Sequence, residues 1–340
     1  MSTSKRKKEH IEIALNHNVQ FRTKTSEFEK YDFVHCALPE MAFHEVDTKT
    51  TFLGKTISFP LMITAMTGGF PGAEKINQIL GEVCEKEKIA LGVGSQRQMI
   101  ENAKHLETYR VVQKHSHAIP ILGNIGASEI IKMKDFSPIQ KLVDLIQADA
   151  MAVHLNPLQE ILQQEGNRDF RGVLNAIKKL VKELSVPVIV KEIGCGISQS
   201  VAKQLVDVGV TYIDVAGAGG TSWTAIEFHR RANKELAQAF WDWGIPTAKS
   251  IEMVKQVKGA RIIASGGIRN GIDMAKAIAL GAELCGAALP MLKAIGIKPK
   301  AEPLYRLIQK WREEFRMVLF LTGSDSVAKL HRKGILIKIR

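Results

Sequence analysis

The run His154-Leu155-Asn156-Pro157-Leu158-Gln159-Glu160 follows directly on the apolar stretch Ala150-Met151-Ala152-Val153 and brings together an imidazole, two amides and a carboxylate. A buried strand that ends in such groups delivers them to one rim, where they can orient a polar substrate, move a proton or hold a cation. The same run also reads as a packed histidine followed by an ordinary Asn-Pro turn, so its neighbours decide. Lys191 ends a second apolar stretch, Val186-Pro187-Val188-Ile189-Val190. An ammonium there is costly unless it meets an anion or an electron-rich acceptor; Glu192 is the structural option and a ligand the functional one. A third element, Ser265 to Asp273 (SGGIRNGID), sets glycines beside a helix opening. With the nearby Ala288-Leu289-Pro290 it forms either a backbone-amide phosphate site or a plain Gly-Asn turn.

These groups need a scaffold that gathers strand ends. From Pro60 onward eight apolar runs recur: Leu61 to Ala65, Ile89 to Val93, Ile119 to Leu122, Ala150 to Leu155, Val186 to Val190, Tyr212 to Val215, Arg261 to Ala264 and Leu284 to Leu289. Helix-period stretches separate them, such as Ile76, Ile79, Leu80 and Val83. Runs without polar alternation belong to strands covered on both faces, and eight such units predict an α/β fold, a closed (β/α)8 TIM barrel with its site at the C-terminal strand ends. Seven of the eight runs end in polar or glycine-rich turns, which favours a ligand cradle. No Gly-x-Gly-x-x-Gly follows the first strand, as a doubly wound sheet would favour. The expected organisation is an N-terminal extension, 1–56, capping the mouth; the barrel, 57–325, closed by a helix around Tyr305 to Leu321; and a basic C-terminal tail, 326–340. The long connection from Gly217 to about Ala248, with Trp223, Trp241 and Trp243, reads equally as a lid or an oligomer interface.

The 340 residues are 45% hydrophobic with formal charge +12, enough for a large single core. Basic residues gather at Lys5 to Lys8 and at Arg332, Lys333, Lys338 and Arg340. They suit nucleic acid, an anionic membrane or a phosphorylated small molecule. Nucleic acid is disfavoured because the positive residues lack aromatic interleaving and no helix-turn-helix or zinc pattern occurs. The apolar-rich stretch Ile278 to Ile297 carries Glu283 and Lys293 and is broken by Gly281, Gly286 and Pro290, so no membrane span is expected. The basic N-terminus runs into Glu9, His10 and Glu12 rather than a signal segment. Cys36, Cys84, Cys195 and Cys285 are scattered as reduced thiols would be. A soluble cytoplasmic protein is the expectation.

Over nearly its whole length the chain resembles the type 2 isopentenyl-diphosphate isomerases, FMN-dependent barrel enzymes. The resemblance is carried by Arg6 to Ile11, His35-Cys36-Ala37-Leu38-Pro39-Glu40, Pro60 to Gly69, Gly94-Ser95-Gln96-Arg97, His154 to Glu160, Val190 to Gly196, Ala216 to Trp223 and Ser265 to Asp273. It implies interconversion of isopentenyl and dimethylallyl diphosphates, with reduced FMN, Mg2+, NADPH or another reductant, and a homotetramer or homo-octamer. By similarity the flavin contacts are Ala65, Met66, Thr67, Ser95, Asn124, Lys191, Thr221, Gly267, Ile268, Arg269, Ala288 and Leu289. Arg6, Lys7, His10, Ser95, Gln96, Arg97 and Gln159 match groups around the substrate, and Glu160 matches a ligand of Mg2+ on the diphosphate. His154 and Asn156 match polar residues of the same pocket, counted with Gln159 and Lys191 as catalytic. Protonating an unactivated alkene develops tertiary carbocation character, which an electron-rich reduced flavin can stabilise; N5 of the flavin is the expected acid and base, Lys191 its charge partner and Gln159 the group orienting the reacting carbons. Many FMN barrels carry Gly-Arg-Pro after the eighth strand where this chain has Ala288-Leu289-Pro290, so phosphate holding falls to backbone amides and Arg269. The nearest alternative, an FMN-dependent 2-hydroxy-acid oxidase or dehydrogenase, needs a catalytic His and a Gly-Gly-Arg after a late strand. Gly217-Ala218-Gly219-Gly220-Thr221 contains neither the His nor the Arg.

Overall fold

The computed structural model describes residues 3–230 and 233–339; residues 1, 2, 231, 232 and the basic Arg340 lie outside them. Eight strands, β1 (Leu61–Ile63), β2 (Ala90–Gly92), β3 (Ile121–Gly126), β4 (Ala150–His154), β5 (Val188–Lys191), β6 (Tyr212–Asp214), β7 (Arg261–Ser265) and β8 (Leu284–Ala287), close into one barrel. Every neighbouring pair is parallel, and β8 closes on β1.

The two-residue period of a strand explains the layering. Outward residues such as Leu61, Ile63, Leu91, Ile121, Val153, Val188, Val190, Ile213 and Ile262 join the main core with the surrounding helices. Inward residues Met62, Ala90, Leu122, Ala150, Ile189, Tyr212, Ile263 and Leu284 form a second cluster inside the bore. Phe52 and Ile57, from a hairpin of Thr50–Phe52 and Lys55–Ile57, complete that inner cluster, each side chain contributing about 1.5–3 kcal/mol by burial. Part of the N-terminal extension therefore stoppers the base of the barrel and does not cap its mouth. Two residues further along each strand the inward positions turn polar or small: Thr64, Gly92, Asn124, Ala152, Lys191, Asp214, Ser265 and Gly286.

Among the helices, α1 (Thr3–Asn16) lies over the mouth, α2 (Glu107–His115) flanks the second strand turn, and α3 (Pro157–Leu162) follows β4. Next come α4 (Trp223–Arg230) in the long connection and α5 (Ala301–Leu321) after β8. The Gly217 to Ala248 connection also holds a short helix, Lys234–Ala239. Ala225, Ile226 and Trp241 from this connection pack with Ala14, Val19, Leu289 and Leu292, so it is a wall against which α1 docks.

Two expectations are corrected. Of the expected basic C-terminal tail, residues 326–339 pack onto the rest of the fold: Leu336–Lys338 pair antiparallel with Tyr31–Phe33, and Val327, Leu330 and Ile335 are buried. The third strand runs on to Gly126, beyond the expected Leu122. Gly123 and Gly126 are strand glycines rather than turn glycines, since a Cβ at Gly123 would stand 2.7 Å from Met151 Cε and one at Gly126 3.2 Å from His154 Nε2.

Candidate active site at the barrel mouth

The strand ends open into a cavity of about 240 Å³. It is lined by the expected flavin contacts Ala65, Met66, Thr67, Ser95, Asn124, Lys191, Thr221, Gly267, Ile268, Arg269, Ala288 and Leu289, and also by Arg6, Lys7, His10, Arg97, His154, Asn156, Gln159 and Glu160. Gln96 is the exception and is corrected. It is fully buried, its Nε2 donating to Leu142 O at 3.2 Å and its Oε1 accepting from the Asn124 N–H at 3.0 Å.

The β4 end builds one side of the site. Asn156 occupies the N-cap position of α3 without a side-chain capping bond, with Pro157 in the first turn, and helical spacing brings residues three and four further on to the same side. The Asn156 amide accordingly donates to Gln159 Oε1 at 3.0 Å and Glu160 Oε1 at 3.1 Å. Its own Oδ1 is buried and makes no hydrogen bond among the described residues, an acceptor left for a ligand. His154 Nδ1 lies 2.9 Å from Asn124 Oδ1. Burial, followed by the positive charges of Lys191, Lys7 and Arg6, pushes its pKa from 6.5 down to about 3. His154 is therefore a neutral hydrogen-bonding ring, and its ring-nitrogen NMR shifts should stay constant over roughly pH 5 to 8, the range in which an ordinary imidazole titrates. A His154 titration within that range would overturn this assignment.

Register sets Lys191 beside both His154 and Asp214. The structural partner of Lys191 is Asp214, with Nζ 3.7 Å from Oδ2. Glu192 supplies only its carbonyl oxygen to Nζ; its carboxylate turns away to accept from the N–H groups of Ile193, Gly194 and Cys195 at 2.6, 2.8 and 2.5 Å. Burial outweighs those bonds and raises the Glu192 carboxyl to about 7. Asp214 Oδ1 accepts from Ser265 Oγ at 2.6 Å, whereas Oδ2 has no hydrogen-bond partner among the described residues.

Opposite α3, Gly266 and Gly267 have φ of 93° and 77°. A Cβ on them would stand 2.1 Å from Gly217 O and 2.8 Å from Ser26 Cβ, so only glycine lets these segments approach. Arg269 borders the same turn and donates to Gln20 Oε1 at 3.1 Å. Ala65 and Ala216 line the cavity with φ of 39° and 35°. Non-glycine residues held in that region mark over-determined backbone of the kind found at ligand sites.

From above, α1 adds cations and fastenings. Arg6 Nη1 donates to Gln163 Oε1 at 3.3 Å. Arg97, on the second turn, is already paired with Glu101 at 2.7 Å and Glu129 at 3.0 Å. Burial and the adjacent Arg6 pull Lys7 down to about 7, while three oxygen acceptors around its Nζ favour the ammonium.

The sequence reading missed Glu227, Arg230, Asp214 and Tyr109. Glu227 on α4 is 1% exposed; its Oε1 lies 3.1 Å from both Gln159 Nε2 and His10 Nε2. Burial pushes the Glu227 carboxyl up, but hydrogen bonds from His10 and Gln159 and the charge of Arg230 leave it below its ordinary value. Arg230, also buried, pairs with Glu227 at 3.0 Å, with Glu9 at 3.1 Å and with Glu165. A Glu-x-x-Arg pair on a helix with an apolar face was the available signal.

The sequence matches the FMN-dependent dehydrogenase family over residues 2–117 and 132–337. It is 44% identical to an isopentenyl-diphosphate delta-isomerase of Pelodictyon phaeoclathratiforme, covering 99% of this chain and 98% of that one. A protein of the same name from Methanothermobacter thermautotrophicus is 43% identical, over 98% and 93%. Among solved structures, the flavin-binding domain of baker's yeast flavocytochrome b2 aligns with a TM-score of 0.69 at 17% identity, over 95% of this chain and 80% of that one. A mandelate oxidase variant with (S)-mandelic acid aligns at 0.64 and 14% identity, over 95% and 92%. These structural likenesses speak for the barrel alone.

Proposed function

The chain belongs to the FMN-dependent dehydrogenase family and, within it, to the isopentenyl-diphosphate delta-isomerases, and from that premise we propose how its cavity moves a double bond. The reaction adds a proton to the terminal methylene of isopentenyl diphosphate and removes one from C2, with no net redox change. When bound and reduced, FMN supplies an electron-rich ring that exchanges a proton with the olefin and steadies the positive charge developing on it.

The cavity fits that cofactor. The cradle at Gly266 and Gly267, with Arg269 and the opening of the helix Leu289–Ile295, suits an anionic phosphate. Ala65, Met66, Thr67 and Asn124 would border the ring, with Lys191 presenting an ammonium to its electron-rich edge. Gln159 orients the reacting carbons. His154 and Asn156 add neutral hydrogen-bonding groups. Arg6, His10 and Lys7 close the mouth and help to exclude water.

The observation that carries the reading is Glu160. A buried carboxylate bordering the same cavity as Arg6 and Arg97 would repel a diphosphate unless a divalent ion lay between them. Glu160 and Asn156 Oδ1, the latter without a hydrogen-bond partner among the described residues, are hard oxygen donors of the kind Mg2+ accepts alongside phosphate oxygens. Among the described residues no three His, Cys, Asp or Glu side chains form a metal cage by themselves, which suits an ion completed by the substrate. NADPH or another reductant would be needed to prepare the flavin. Four free cysteines support a reducing, cytoplasmic setting, and no helix among the described residues is long and apolar enough to cross a membrane. The homotetramer or homo-octamer belongs to this reading through family likeness.

The test is isomerisation of isopentenyl diphosphate by the pre-reduced FMN protein with and without Mg2+. Glu160→Gln should lower kcat/KM by about 10²-fold, since one charge-assisted contact to a bound ion is lost, and should abolish the response to added Mg2+. Flavin reduction by a 2-hydroxy acid, without isomerisation, would overturn the reading in favour of the oxidase alternative.

A further inference from the structure

We propose that Tyr109 is a positioning residue for the mouth: its phenol receives Lys7 and thereby pins the first turn of α1 across the cavity. Tyr109 lies on α2 and is fully buried. Its ring sits where the first strand turn has no side chains. A Cβ at Gly68 would stand 2.2 to 2.9 Å from three ring atoms, and one at Gly69 2.9 Å from the hydroxyl. The Gly68-Gly69 pair is therefore a seat for this ring, and the bond pattern around the hydroxyl shows what the seat is for.

The hydroxyl donates to Ser95 O at 2.5 Å and accepts from Lys7 Nζ at 2.6 Å. Lys7 Nζ also donates to Gly68 O at 3.0 Å and to Ser95 O. An ammonium has three N–H donors and no acceptor, so all three are taken by protein oxygens. One atom on the lid thus ties together α1, the turn after β1 and the turn after β2, and Tyr109 OH is the only side-chain group among its three acceptors. In this state Lys7 is fastened to the barrel, leaving Arg6 and His10 as the α1 residues that face the cavity with polar groups to offer. Thr3 and Ser4 at the same end also reach Glu101 and His105, Arg6 reaches Gln163, and further along the helix His10 bonds to Glu227 and Glu9 to Arg230. Loss of the phenol hydroxyl should loosen one end of the lid and leave the other held.

The inference rests on reading the cavity as a diphosphate site, and the experiment separates the two. In FMN-loaded enzyme, Tyr109→Phe keeps the ring in its seat and removes only the hydroxyl. KM for isopentenyl diphosphate should rise about 10-fold, the scale of one hydrogen bond to a charged group, with kcat changed less than about threefold. Amide hydrogen exchange of residues 3–16 should accelerate in the same variant without substrate. Tyr109→Phe added to Lys7→Ala should raise KM by no more than about twofold, since Lys7→Ala already removes the contact that Tyr109→Phe deletes. Lys7→Met, which leaves the barrel core untouched, should speed the same amides should Tyr109→Phe fold poorly. Unchanged exchange over residues 3–16 in both single variants, or multiplicative KM effects in the double variant, would overturn the proposal. Faster exchange in a protein that does not isomerise the diphosphate would uphold the pin and sink the substrate reading instead.

Discussion

Gln159→Ala is expected to lower kcat for isomerisation by about 10² to 10³-fold, the range lost with a positioned proton-handling or orienting group, while FMN uptake stays intact. Both ends of this amide are fixed. Its Nε2 donates to Glu227 Oε1 at 3.1 Å and its Oε1 accepts from Asn156 Nδ2 at 3.0 Å. The side chain is 8% exposed, so neither contact is exchanged for water at low cost. Ala removes the group proposed to orient the reacting carbons and strands a donor on Asn156. Gln159→Glu is the sharper companion: it places a second carboxyl against Glu227, where two negative charges at contact distance favour one shared proton. That variant should recover activity as pH falls toward the acid range, measured as the pH profile of kcat. A Gln159→Ala enzyme with near-normal turnover would remove Gln159 from the reaction.

The second large effect is at Lys191. Its side chain is 7% exposed and that of Asp214 1%, with 3.7 Å between the charges. Deleting one partner of a buried pair typically costs about 3–5 kcal/mol because the other charge is left uncompensated. Lys191→Ala alone would therefore mix instability with lost chemistry. Lys191→Met combined with Asp214→Asn removes both charges together and should keep the thermal midpoint close to that of the parent. Turnover of the pre-reduced enzyme should still fall by about 10²-fold or more, on the scale of losing one preorganised charge at a reacting group. The absorption spectrum of the reduced flavin should move from the anionic toward the neutral form. Full turnover in a stable double variant would refute the charge-partner role.

Much of this was legible because the barrel translates a sequence period into position. Each strand buries alternate residues outward and inward, so an apolar run ending in His154 or Lys191 had to present those groups at the mouth. Gly266 and Gly267 were readable as a turn beside a helix opening, but the close backbone approach that demands glycine there was not. What escaped depended on direction or distance. Gln96 sits next to Arg97, yet one residue of displacement turns it from the cavity into the gap beside Leu142. Tyr109, Glu227 and Arg230 are ordinary helical residues locally; their meaning comes from partners that are remote in sequence, such as Lys7, Gln159 and Glu165. Asp214 could have been found as a lone acid at an inward position two residues after Tyr212. The C-terminal segment misled because Arg332, Lys333 and Lys338 outweigh, by composition, the buried Ile335 and the pairing of Leu336–Lys338.

The antiparallel pairing of Tyr31–Phe33 with Leu336–Lys338 joins an early segment of the polypeptide to a late one. On the ribosome, residues 31–33 emerge long before their hydrogen-bonding partners exist, and contacts this distant in sequence form late and slowly. The first strands of the ring can assemble as translation proceeds, but this clasp waits until residues 336–338 have emerged.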